Sequence, residues 1–129
     1  MSRDSRRTPT RMWKPSWPAA GTPGPSLVLL LLSSLVLGCK GLLSGSGSVI
    51  AELQARLFRA VQANDLAEAR RLHERIAPTA EVFYAEPWVD MHNRMKEALV
   101  LLGKLPRAVV RPPLVKLPAA EIERIRQAL

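Results

Sequence analysis

The residues able to carry covalent or metal chemistry are few: Lys14, Lys40, Lys96, Lys104 and Lys116, the one cysteine Cys39, and the histidines His73 and His92. A lysine can condense with a carbonyl compound, but only where burial lowers its pKa and frees the amine as a nucleophile. A single cysteine closes no internal disulfide. His73 and His92 stand far apart, without the spacing of metal ligands, so no metal site is expected. No nucleophile has a base beside it in the sequence, and no carboxylate pair shares an apolar helix face. Gly41, Gly45 and Gly47 alternate with small residues. They lack the Lys-Ser/Thr ending of a phosphate loop and the spacing of a dinucleotide turn, so no cofactor is expected. Met91 and Met95 are four apart and read as core filling. Arg70, Arg71 and Arg75 read as a solvated helix face.

The elements that must position these residues are mainly helical. Ile50, Leu53, Leu57 and Val61 form one apolar stripe, while Glu52, Arg56, Arg59 and Gln62 face away. Asp65 followed by Glu68 resembles a capping box. It opens a second helix over Leu66–Ile76, with Leu66, Ala69, Leu72 and Ile76 inward and Pro78 ending or bending it. A third helix begins near Asp90 and turns Met91, Met95, Ala98, Leu99 and Leu102 inward, with Gly103 at its C-cap. Leu105–Leu117 holds three prolines and no helical period, so it should run extended across other elements. A last helix starts around Pro118 and runs to Leu129, with Ile122, Ile125 and Leu129 inward.

The first forty residues have a different character. The chain of 129 residues carries a formal charge of +8. Residues 1–40 hold six basic side chains against Asp4, which is +5 of that total. Five prolines before Ser26 prevent a continuous helix, and disorder is expected there. The basic excess lies in this Pro-rich stretch with no recognition helix, so nucleic acid is not expected as a partner. Leu27–Leu37 is an apolar run of eleven residues. As a helix it would span roughly 17 Å, too short for a bilayer core of about 30 Å. It fits the hydrophobic region of a signal peptide, with Cys39 placed as in a lipobox. It also fits a buried parallel strand and its approach.

Downstream residues favour the strand. Gly38-Cys39-Lys40-Gly41-Leu42-Leu43-Ser44-Gly45-Ser46-Gly47-Ser48-Val49 resembles the eighth strand of the dihydrodipicolinate synthase / N-acetylneuraminate lyase family. The register of Leu57–Arg70, Met95–Leu99 and Val110–Val115 is similar to the family's closing order. The resemblance covers about residues 35–129. It implies a mainly α chain: a disordered basic segment over 1–34, the last strand and helix of a (β/α)8 barrel over 35–63, and a small C-terminal helical domain over 64–129. Residues 1–32 have the composition expected of a wrong start or a misread frame.

The resemblance also implies a function. Full-length members are cytoplasmic carbon-carbon or carbon-oxygen lyases of the class I aldolase type, and they form homo-oligomers. A Lys on the sixth strand forms a Schiff base with pyruvate or a related 2-oxo acid, assisted by a Tyr and a Thr-Thr pair. Those catalytic residues have no counterpart here, so the chain is expected to be a truncated, inactive member. One contact does carry over: the backbone carbonyl of Leu43, which would face the substrate. Two alternatives stand beside this reading. One is an exported helical binding protein, periplasmic or membrane-anchored through Cys39. The other is a complementing subunit whose partner chain supplies the first seven barrel units.

Overall fold

The computed structural model describes residues 27–129. Of the segment 1–34 expected to be disordered, residues 1–26, and Lys14 with them, lie outside the described residues, while 27–34 are helical. Five helices follow in order: α1 Leu27–Val36, α2 Gly47–Gln62, α3 Leu66–Phe83, α4 Met91–Leu101 and α5 Ala119–Ala128, with a short 3-10 turn Trp88–Asp90 before α4. The mainly α class therefore stands. The central element is α3, which touches all four of the others. Its buried face is Ala69, Leu72, Ile76, Ala80 and Phe83, the continuation of the stripe read from the sequence. Facing it are Leu35 of α1, Val49, Ile50 and Leu57 of α2, Met95 and Ala98 of α4, and Ile125 of α5. Leu66 and Leu102, expected inward, are 52 % and 44 % exposed, because each sits at a helix end beyond the buried part of its stripe.

The helix boundaries follow from local chemistry. The Asp65 carboxylate accepts the backbone N–H of Glu68 at 2.9 Å, which satisfies one of the unpaired donors of the first turn of α3. Pro78 does not end α3, which continues to Phe83. The missing N–H removes one bond, while burial of Thr79, Ala80 and Phe83 holds the following turn in place. Gly103 takes φ +69° after α4. The N–H groups of Gly103 and Lys104 bond back to Val100 and Leu99, the paired closure that favours glycine there. The 102–118 segment crosses the helices as expected and is pinned by side chains. Asn93 donates to the Val115 carbonyl at 2.8 Å, and Leu117 is buried.

Two expectations are corrected. The apolar run is a helix, α1, and not a strand approach. Gly38 closes it at φ +100°, with Gly38 N–H on Leu35 and Cys39 N–H on Ser34, the same closure that Gly103 makes. The final barrel strand over 38–49 is also not formed, and the described residues contain no strand. Residues 39–44 are irregular, and Gly47–Val49 already belong to α2, which kinks at Ile50. A strand exists only through a ladder of bonds to a neighbour, and the described residues supply no second strand beside this one.

Candidate functional site

The sequence points to the Gly-rich segment between α1 and α2, and the fold holds that segment at both ends. The glycine closure of α1 fixes its start. Its far end is fixed by a polar cluster. Ser46 is 2 % exposed and Gln54 6 %. The Gln54 amide donates to Ser46 Oγ at 2.8 Å and to Ser44 Oγ at 3.1 Å, and the two serine hydroxyls lie 2.8 Å apart. The hydroxyl of Tyr84, the one tyrosine of the chain, reaches both serines at 3.4 Å from the end of α3. Such a cluster satisfies polar groups that would otherwise be costly to bury. Gln54 could have been found in the sequence, since it stands four residues after Ile50 and three before Leu57, on the apolar stripe itself. Tyr84, some forty residues away, gave no local signal.

Between these anchors, Lys40–Leu43 is open. Among the described residues, the N–H and C=O groups of Lys40, Gly41, Leu42 and Leu43 have no backbone partner. The Leu43 side chain is fully exposed. Its carbonyl is thus free to meet another group, which is the most that the carried-over contact asks of it. A groove of about 510 Å³ runs along one side of the segment, bounded by Leu31, Ile76, Tyr84, Met91 and His92. A second groove of about 420 Å³ lies against α2 at Ala51, Ala55 and Phe58. Gly41, Leu42 and Ser44 line both.

None of the other candidate residues is gathered into a chemical site. Lys40, Lys104 and Lys116 are exposed. Lys96 is half-buried, with its Nζ donating to the Val109 carbonyl at 2.6 Å. The Cys39 thiol is free and exposed. Among the described residues no group of three or more His, Cys, Asp or Glu could hold a metal ion, and no helix is long and apolar enough to cross a membrane.

The most heavily bonded polar side chain belongs to no motif in the sequence. Arg94 is 1 % exposed. It pairs with the Glu121 carboxylate of α5 and donates to the carbonyls of Ala85 at 2.6 Å, Glu86 at 3.3 Å and Pro87 at 3.3 Å. It holds the turn between α3 and α4 rather than a ligand. Its signal was a charge at the position between Met91 and Ala98 on the inward face.

Comparison with known proteins agrees with the family resemblance read from the sequence. The family model described as the dihydrodipicolinate synthetase family matches residues 29–129. The match begins within the apolar run, ahead of the boundary near Leu35 drawn from the motifs. The 4-hydroxy-tetrahydrodipicolinate synthase of Thermodesulfovibrio yellowstonii is 29% identical over 98 residues, 76% of this chain and 32% of that protein. The protein of the same name from Oceanobacillus iheyensis is 27% identical over 101 residues, 78% of this chain and 32% of its own length. The chain therefore spans about a third of the length of these curated relatives. No solved structure matches it. On a match that runs from within α1 through the whole of α5 to Leu129, this chain belongs to the dihydrodipicolinate synthetase family.

Proposed function

We propose that this chain is the C-terminal part of a Schiff-base lyase or aldolase acting on pyruvate or a related 2-oxo acid, and that it performs no such chemistry alone. The observation that carries this is the state of the lysines within a family-matched region. Three of the four described lysines are exposed, and Lys96 is held by a carbonyl at the surface. A Schiff-base amine must instead be desolvated, so that it loses its proton near neutral pH and attacks a ketone. Closed barrels achieve this by enclosing the amine inside a ring of strands. In a completed enzyme, this chain would contribute the Leu43 carbonyl to the substrate pocket and the helices that brace it. Homo-oligomers belong to that completed enzyme. A cytoplasmic location goes with the same reading, because the family match takes in most of the apolar run and Cys39.

The test is reductive trapping. The purified chain is incubated with pyruvate and borohydride, and its intact mass is measured. The expected result is an unmodified chain. A reduced adduct on any lysine would overturn the proposal.

A further inference from the structure

The larger groove beside the Gly-rich segment holds soft donors that no local spacing joins. Cys39 lines it just after the closure of α1, and Met91 and His92 line it from the first turn of α4. Met95, one turn further on, lies against Gly45, another lining residue. A Cβ built on Gly45 would stand 3.4 Å from Met95 Sδ and 3.8 Å from His92 Nε2. Both donor atoms therefore meet at one glycine, which has no side chain to cover the sulfur. Met95 is buried and Met91 half-buried, while His92 and Cys39 are exposed. Among the described residues, no hydrogen bond or ion pair engages the Cys39 thiol or the His92 imidazole.

The donor set selects its ion. Thiolate and thioether sulfur are soft, and together with imidazole they suit Cu(I), while Mg, Ca and Mn ask for oxygen. Charge narrows the choice further. No Asp, Glu, Lys or Arg lines this groove, so Cys39 alone can supply a negative charge. One thiolate neutralises a monovalent ion, whereas a divalent ion such as zinc would leave a net positive charge against Leu30, Leu31 and Ile76, a costly arrangement. We infer that Cys39 Sγ, His92 Nε2 and the thioethers of Met91 and Met95 bind one Cu(I) ion. The ion does the gathering: methionine has three rotatable bonds, and the His92 ring is exposed and unbonded. Binding releases the Cys39 proton and leaves the oxidation state of the metal unchanged. Half of the set is methionine, which is why the spacing of histidine and cysteine pointed to no ligands.

The experiment titrates the full, reduced chain, without oxygen, into Cu(I) held by the coloured chelator bicinchoninate and follows the loss of colour. The expected result is one Cu(I) per chain, with the chain's association state unchanged by the metal. Cys39→Ser and His92→Gln should each weaken binding at least about tenfold, since even changes adjoining a metal site cost that much. Both positions are exposed, so folding is left intact. The double change Met91→Leu with Met95→Leu conserves core volume and should weaken binding by a similar factor. Its helical circular dichroism is checked alongside, and His92→Gln keeps the test decisive if the double variant does not fold. The site is overturned if the chain fails to compete with the chelator, or if His92→Gln or the folded methionine variant binds as tightly as the parent, which would leave a bare thiol. It is also overturned if copper links two chains through Cys39, or if an equal amount of Zn(II) displaces the Cu(I).

Discussion

Arg94 shows how one side chain can order a whole junction. Its guanidinium reaches Glu121 and the carbonyls of Phe83, Ala85, Glu86 and Pro87, so three helices and one turn converge on it. A planar fork can serve several acceptors at fixed angles, whereas an ammonium is a point charge with three donors. Arg94→Lys should therefore lose about 2–4 kcal/mol, since a buried charge would keep its burial and lose most of its partners. Glu121→Gln keeps an acceptor and should cost only about 1 kcal/mol. Urea unfolding at neutral pH ranks the two, and equal costs would refute this account of Arg94. At Gln54 the corresponding change is Gln54→Leu, which removes the donors to buried Ser46 and half-buried Ser44. It should cost about 1–2 kcal/mol and speed amide exchange at Ser46, because the Tyr84 contacts at 3.4 Å are long for hydroxyl bonds. Both residues could be placed on an inward face from the sequence, but the partners that give them their roles could not. Apolar periodicity marks an inward face, but it does not say which polar residue on that face will find partners contributed by distant segments.

Among the elements, those whose ends are set by local chemistry were legible, and those needing a distant partner were not. Asp65 with Glu68, and Gly103 after an apolar stripe, announce a helix start and a helix end within four residues of chain, and both are found. Gly38 after Leu27–Leu37 is the same signal as Gly103, yet a short apolar run ending in glycine suits a buried strand equally well. The backbone closure Cys39 to Ser34 is what makes it a helix end. The strand expected over 38–49 could not be settled locally at all, because a strand exists only through pairing with a neighbour, which no local residue pattern records. The cap chemistry is testable. An alanine Cβ at Gly103 would meet nothing within 4 Å, so any cost of Gly103→Ala comes from the backbone alone, about 1 kcal/mol for a non-glycine residue in the left-handed region. Asp65→Ala should also cost about 1 kcal/mol by leaving an N–H of the first turn unpaired. The two sites lie in separate caps, so their losses in thermal melts should add. Strong non-additivity would mean that the caps are not independent local features.

For the whole molecule, the exposed leucines at the Gly-rich segment stand outside the energetics of the helical core. The isolated helical cluster gains nothing from Leu37 and Leu43, since both side chains already face solvent. Their burial enters the energetics only when something covers them, at roughly 25 cal/mol per Å² of apolar surface removed from water. Leu43→Arg should therefore leave the urea midpoint of the isolated chain where it was, as substitutions at solvent-facing positions do. A stability lowered by about 1 kcal/mol or more would place the Leu43 side chain inside the helical core.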